Sequence, residues 1–162
     1  DIQWHFIGHL QSNKVKYIAP FVYMIHGVDS EKLLQEINKQ AVKQNRVIDC
    51  LLQVHIATEE TKFGLDAAEI ETIIAQKEQY PHVQFLGLMG MATHTDDQEQ
   101  IKAEFDQLIT LKQSLKARYF KEDAAFLMAS IGMSGDYAIA LAAGASHIRI
   151  GSMLFGARNY TS

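Results

Sequence analysis

The segment Ser130-Ile-Gly-Met-Ser-Gly-Asp136, with the helix-like 137–144 and with His147-Ile-Arg-Ile-Gly-Ser152, decides the fold. It predicts a strand, a turn of small residues, a short helix, a second strand and a second turn. The first strand belongs to the apolar run 125–131, which is typical of a strand buried in a parallel sheet. Parallel neighbours would bring both turns to one sheet edge, where backbone N–H groups and Ser134 could receive one phosphate group.

Arg149 is the unusual residue of the second strand. It precedes Gly151 by two positions, so strand alternation points both to one side, while Ile148 and Ile150 face the other. A guanidinium in so apolar a strand is costly unless it is hydrogen-bonded or paired. We therefore expect a partner for Arg149, and two alternatives stay open: a ligand, or a carboxylate or carbonyl groups of the protein itself.

Composition restricts the class of protein. A chain of 162 residues with 48% hydrophobic residues suits one domain, residues 1–162, with a sizeable core. The formal net charge is -4, and Lys and Arg are interleaved with acidic residues, which argues against nucleic acid or a membrane surface as partner. Cys50 lies in an apolar run and is interpreted as a buried thiol. With no long apolar span and no signal pattern, we expect a cytoplasmic protein.

Hydrophobic periodicity predicts six strands, each followed by a helix or a helical turn. The strands are expected at residues 3–7, 22–26, 48–56, 83–92, 125–131 and 147–150. Helices are expected from 13 to about 19 with Ser12 as N-cap, from Asp29 or Ser30 to about 44, from the N-cap Asp66 to about 79, from about 97 to 119, and from 137 to 144, with a further turn at 153–160.

Strict alternation of strands and helices indicates an α/β fold with right-handed parallel units. The alternatives are an open doubly wound sheet and a TIM (β/α)8-type barrel; the barrel is favoured because no Gly-x-Gly-x-x-Gly follows an early strand. The chain would carry about six β/α units. Because a predicted strand already begins within two residues of Asp1, we expect two further β/α units to precede Asp1. The apolar strand edges at 4–7 and 148–150 would then be unpaired, and we expect them to bind either another chain or the two preceding units.

Functional residues of such a barrel stand where its strands end. The histidines lack metal-ligand spacing, so no metal site is predicted, and His5, His82 and His147 are interpreted as strand-flanking residues without a special role. Neither a Gly-x-Ser-x-Gly elbow nor a suitable carboxylate pair is present for hydrolysis. The strand ends offer Gly8, His9, Asn13, His26, His55, Lys62, Met91, Thr93, His94, Ser134, Gly151 and Ser152.

Several motifs, taken together and in order, resemble the pyridoxal-phosphate homeostasis proteins. These are single-domain relatives of the alanine racemase N-terminal barrel, also called proline synthetase co-transcribed homologues. Each motif alone is weak, whereas their succession along nearly the whole chain is specific. The motifs are Trp4-His-Phe-Ile-Gly8, Leu10-Gln-Ser-Asn-Lys14, Thr61-Lys-Phe-Gly64, Gly87-Leu-Met89, Gly132-Met-Ser134, Arg149-Ile-Gly151-Ser152 and Phe155-Gly-Ala-Arg158.

The resemblance implies a fold type III barrel that binds pyridoxal 5′-phosphate (PLP). Ser134 and the Gly151–Ser152 turn would receive the phosphate, and Arg149 would face the pyridine nitrogen. A guanidinium keeps its proton, so it would leave that nitrogen unprotonated and weaken the ring as an electron sink. Further candidate contacts of the cofactor are Met133, Met91, Asn13 and His55, the last at a position where many members carry Asn.

The resemblance also implies that the Schiff-base lysine stands upstream of Asp1, so neither Lys14 nor Lys62 is assigned that role and no catalytic residue is predicted. The leading hypothesis is a protein of intracellular PLP homeostasis and of amino- and keto-acid balance, without efficient catalysis of its own. PLP-dependent apoenzymes are candidate partners. A PLP-dependent amino-acid racemase and a phosphate-binding isomerase or aldolase barrel without PLP remain as alternatives.

Overall fold

A computed structural model describes residues 2–60, 63–122 and 124–156. Its strands form one six-stranded sheet in which strand order follows chain order. Every neighbouring pair is parallel, as the alternation of strands and helices predicted. The strands are β1 (His5–Phe6), β2 (Met24–Val28), β3 (Ile48–Val54), β4 (Val83–Gly90), β5 (Met128–Met133) and β6 (His147–Arg149).

Helices follow the strands and cover one face of the sheet. Short 3-10 turns at Ser12–Lys14 and Lys77–Gln79 adjoin the first and third of them. The described part of the chain therefore has the succession of six strands and helical segments that the sequence predicted. The helices are α1 (Val15–Ile18), α2 (Glu31–Lys43), α3 (Ala67–Ala75), α4 (Gln98–Tyr119), α5 (Tyr137–Ala143) and α6 (Ser152–Phe155).

The two faces of the sheet have different cores. Alternate strand residues pack with the helices into the larger core, which includes the fully buried Ile25, Leu52 and Phe105. The opposite, inner face holds a smaller apolar cluster around Met24, Leu51, Leu86 and Met89. The sheet curls around this inner cluster, because the rings of His5 in β1 and His147 in β6, at opposite ends of the strand order, lie only 6.4 Å apart.

Local capping explains where three of the helices begin. Ser30 Oγ accepts a hydrogen bond from Leu33 N at 3.3 Å, and Asp97 accepts from the first-turn amides of α4. Asp66 and Glu69 form a reciprocal capping box. The caps Asp66 and Ser30, the latter as one of two candidates, were predicted, whereas Asp97 was predicted only as the approximate start of its helix. Ser12 was wrongly assigned as an N-cap, because it is the first residue of the 3-10 turn, whose N-cap position is Gln11.

Some strand boundaries also differ from the prediction. β2 continues through Gly27 to Val28 instead of ending at His26, because glycine lets two chain segments approach closely: a Cβ at Gly27 would stand 2.7 Å from the Gly8 carbonyl oxygen. β5 begins at Met128 instead of Ala125, since Leu127 N donates to Ala125 O in a turn. Trp4 and Ile7, which flank β1, are 56% and 52% exposed, in keeping with the apolar edge expected there.

Removing the cap of α3 gives a first testable prediction. In the capping box, Glu69 N donates to Asp66 Oδ1 at 2.8 Å and Asp66 N donates to Glu69 Oε2 at 2.9 Å. Asp66→Ala should lower the free energy of unfolding by about 1 kcal/mol in urea titrations. Asp66→Asn retains an acceptor oxygen and should lose only a few tenths of that amount. Equal losses in the two variants would contradict a capping role.

Candidate functional site

Arg149 projects from β6 into the inner side of the curled sheet. Its Nη1 donates to the Ser130 carbonyl oxygen at 2.7 Å and to Ser130 Oγ at 2.9 Å, and its Nη2 donates to the Gly90 carbonyl oxygen at 3.0 Å. Protein carbonyls, one of the two alternatives, are thus partners of this guanidinium. Burial lowers the pKa of Arg149 to about 10, so the side chain remains a cation at neutral pH.

The turns after β5 and β6 meet, as the sequence predicted. Ser134, just beyond β5, accepts a hydrogen bond at its Oγ from the backbone N of Met153, at 3.4 Å. Gly151 is the N-cap of α6 and Ser152 is its first residue. Apart from its chain neighbours, no atom of the described residues lies within 4 Å of a Cβ added at Gly151 or at Gly135, so both turns are open on that side.

The other predicted contacts divide into two groups. Met133 lies in register with Arg149, and Met91 packs against the inner apolar cluster just after β4, so both stand near the meeting turns. His55 follows β3, where its Nε2 donates to the Glu59 carbonyl oxygen at 2.9 Å. Asn13 is exposed in the 3-10 turn after β1, at the opposite end of the strand order from β6. Lys62 lies outside the described residues.

A row of hydrogen-bonded side chains on the inner face was not predicted. His5 Nδ1 lies 2.9 Å from His26 Nε2, and His26 Nδ1 lies 2.9 Å from Ser130 Oγ. His5 and His147, which were interpreted as strand-flanking residues, lie within β1 and β6, and their rings approach His26 at 5.2 and 6.1 Å between centroids. The signal was the two-residue alternation that places Met24 and His26 on one face.

Burial and neighbouring positive charge favour the neutral forms of His5 and His26. Burial, followed by the charges of His5, Arg149 and His147, lowers the pKa of His26 to about 4. Burial and His147 lower the pKa of His5, while burial raises the pKa of Asp49. The inner end of the site therefore presents a cationic Arg149 beside uncharged hydrogen-bonding groups.

The described residues also allow three other features to be examined: a thiol, a metal site and a membrane-spanning helix. Cys50 is fully buried and burial raises the pKa of its thiol, which confirms its interpretation as a core residue. Across residues 2–60, 63–122 and 124–156, no group of three or more His, Cys, Asp or Glu side chains could hold a metal ion. No helix within the described ranges combines the length and apolarity needed to cross a membrane.

The family model described as "Alanine racemase, N-terminal domain" matches residues 3–159. The pyridoxal phosphate homeostasis protein of Aquifex aeolicus is 39% identical over 160 residues, which are 99% of this chain and 69% of that protein. The protein of the same name from Vibrio alginolyticus is 36% identical, with 99% of this chain and 67% of that protein covered.

Solved structures agree with these sequence matches. PipY of Synechococcus elongatus PCC7942, solved with PLP bound, superposes with a TM-score of 0.85 at 33% identity, covering 96% of this chain and 71% of that one. An alanine racemase of Clostridium difficile superposes with a TM-score of 0.70 at 12% identity, over 100% of this chain and 41% of that one, which shows the shared fold alone. The chain therefore belongs to the alanine racemase N-terminal domain family and, within it, to the pyridoxal phosphate homeostasis proteins.

Proposed function

We propose that this protein binds PLP where β4, β5 and β6 end, and that it serves in PLP homeostasis and amino- and keto-acid balance. The observation that carries the proposal is the half-buried cation of Arg149, fixed by Ser130 and Gly90, beside two touching turns. The PLP-bound structure of the related PipY supports it. PLP-dependent apoenzymes are proposed as recipients of the cofactor.

The two turns fit the phosphate group. Ser134 supplies a hydroxyl, and the Gly151–Ser152 turn supplies backbone N–H groups at the start of α6. Donors of this kind suit a phosphate, whose oxygens are strong acceptors. The open side of the turn at Gly151 leaves room for a phosphate against the backbone.

Arg149 fits the pyridine ring. When bound, PLP supplies an aldehyde and an electron-withdrawing ring. Arg149 holds its proton and is anchored at both terminal nitrogens, so it would orient the ring nitrogen as an acceptor and keep it unprotonated. Such a ring stabilises negative charge poorly, which suits a racemase-like reaction or the mere holding of PLP better than extensive carbanion chemistry. Of these two we propose a carrier without efficient turnover, because the related proteins are named for PLP homeostasis.

The curl of the sheet supports a finer proposal about the barrel. Parallel neighbours in chain order and the approach of β1 to β6 support the proposal of a (β/α)8 barrel. We propose that residues 1–162 form one domain with six of its eight units, since the chain covers 69% of the Aquifex aeolicus protein.

Titration with PLP, pyridoxal and inorganic phosphate tests the function. We expect the purified protein to bind PLP, followed by quenching of intrinsic fluorescence, and pyridoxal more weakly. Ser134→Ala should weaken PLP binding about tenfold, because a hydrogen bond to a charged group is lost, and should leave pyridoxal binding unchanged. The matched control Ser114→Ala lies on an exposed position of α4 and should bind PLP like the parent.

Two results would contradict the proposed function, and a third would contradict the role given to Ser134. Tight binding of phosphate without PLP binding would favour a phosphate-binding isomerase or aldolase barrel, and turnover of an amino acid between its enantiomers would favour a racemase. Equal losses of pyridoxal and PLP affinity in Ser134→Ala would show that Ser134 does not receive the phosphate.

A further inference from the structure

A row of hydrogen bonds runs from Arg149 through Ser130 and His26 to His5, and in one direction every donor of the row has an acceptor within it. Arg149 can only donate, so Ser130 Oγ accepts from its Nη1 at 2.9 Å. In that direction the hydroxyl proton of Ser130 goes to His26 Nδ1 at 2.9 Å, and Nδ1 accepts. A neutral His26 consequently carries its proton on Nε2 and donates it to His5 Nδ1 at 2.9 Å.

We propose that Ser130 and His26 are positioning residues of the cofactor site, which fix the guanidinium of Arg149 through this directed row of hydrogen bonds. The inference rests on the proposed function, because it concerns how Arg149 meets the pyridine ring. Ser130 contacts Arg149, and His26 contacts Ser130. Neither residue is assigned a contact with the cofactor.

Because Ser130 and His26 in this row of hydrogen bonds are buried, each of their polar side-chain groups needs a partner from the protein. Ser130 is fully buried and His26 is 3% exposed, so water offers the Ser130 hydroxyl no ready replacement for the imidazole acceptor. Without that acceptor nothing holds the hydroxyl proton on the side away from Arg149, and the hydroxyl can rotate so that no lone pair faces Arg149 Nη1. The guanidinium would then keep only its carbonyl partners, Ser130 O and Gly90 O.

The row also requires an uncharged His26. The titratable groups around it are His5 on β1, Asp49 on β3 beyond His5, and His147 and Arg149 on β6. A proton added to His26 Nδ1 would point a second donor at Ser130 Oγ, close to the cation of Arg149. The lowered pKa of His26 is in keeping with the acceptor role that the geometry gives to Nδ1.

The first test needs no cofactor. Long-range 15N–1H NMR spectra of the protein at pH 7 should show His26 as the neutral tautomer protonated on Nε2, with an unprotonated Nδ1. In Ser130→Ala, the Arg149 side-chain N–H signals should shift and exchange faster with water. A His26 protonated on Nδ1 at pH 7, or Arg149 signals unchanged in Ser130→Ala, would overturn the proposal.

The second test is a double-mutant cycle on PLP affinity. Ser130→Ala should weaken PLP binding about tenfold in the parent and have almost no further effect in an Arg149→Gln background, because it acts through Arg149. Inorganic phosphate affinity should not change. His26→Leu should match Ser130→Ala, while His26→Asn, which retains an acceptor, should bind PLP within about threefold of the parent.

The outcomes separate the two proposals. If the parent protein shows no PLP binding, the proposed function falls, and the positioning role toward the cofactor falls with it. If the parent binds PLP but the effects of Ser130→Ala and Arg149→Gln add fully, the positioning role alone is overturned. Should His26→Leu fail to fold, Ser130→Ala, which removes one oxygen atom, still decides the cycle.

Discussion

Gly87→Ala should lower the free energy of unfolding by about 3 kcal/mol or more, a large part of the roughly 5–15 kcal/mol that stabilises a typical domain. Gly87 lies in β4 with φ 148°, a conformation that side chains disfavour. An added Cβ would collide with the carbonyl oxygen of Met128 in β5 and stand 2.7 Å from its carbonyl carbon. Gly87 is paired with Met128 in the sheet, so relief requires the two strands to separate.

Two other glycines provide graded controls for this prediction. A Cβ at Gly90 would stand 2.6 Å from a terminal methyl of Leu108, a side chain that can shift, so Gly90→Ala should cost less than Gly87→Ala. Gly135→Ala should change the free energy of unfolding by less than about 0.5 kcal/mol, since nothing lies within 4 Å. Chemical denaturation of the three variants measures the series, and a Gly87→Ala protein as stable as Gly135→Ala would contradict the close contact.

Acid should destabilise the protein through His26. The unfolded state takes up a proton near pH 6.5, whereas the folded state, in which the pKa of His26 is lowered to about 4, does not. Between these values the unfolded state binds more protons, so stability present above about pH 6.5 is lost as the pH falls toward about 4. The loss from this group is expected to reach about 3 kcal/mol at most, with a further loss from His5, whose pKa is also lowered.

Denaturation curves from pH 7.5 to 4 measure this loss. His26→Asn should flatten most of the slope between about pH 6.5 and 4, because it removes the proton-binding group. The control His94→Gln alters an exposed histidine and should retain the slope of the parent. Asp49 acts in the opposite direction, since its raised pKa favours the folded state as the carboxylate protonates. A parent protein equally stable at pH 7 and pH 4.5 would contradict the prediction.

The sequence predicted the order of strands and helices well because apolar periodicity and capping residues act locally. Asp66 and Ser30 indicate where their helices begin from the residues next to them, and the apolar run around Cys50 indicates a buried strand. The boundaries of β2 were harder to predict, because Gly27 stays in the strand owing to a distant neighbour, Gly8. A contact between Gly27 and Gly8 cannot be predicted from the residues next to either of them.

The candidate site was predicted in part for the same reason. The meeting of Ser134 with the turn after β6 follows from placing parallel strands side by side. The partners of His26 do not follow so simply, since its contact with Ser130 joins residues 104 positions apart across the inner face. Alternation indicates which side of the sheet a residue faces, but only the curvature of the sheet decides which strands' side chains meet.

The agreement between strand order and chain order has a consequence for how the molecule is made. Each strand from β2 to β6 pairs with the one synthesised just before it, so these successive units can dock as they leave the ribosome. The bonds by which Arg149 reaches Ser130 and Gly90 form only after β6 has been synthesised. Binding competence would then appear only once translation has delivered β6.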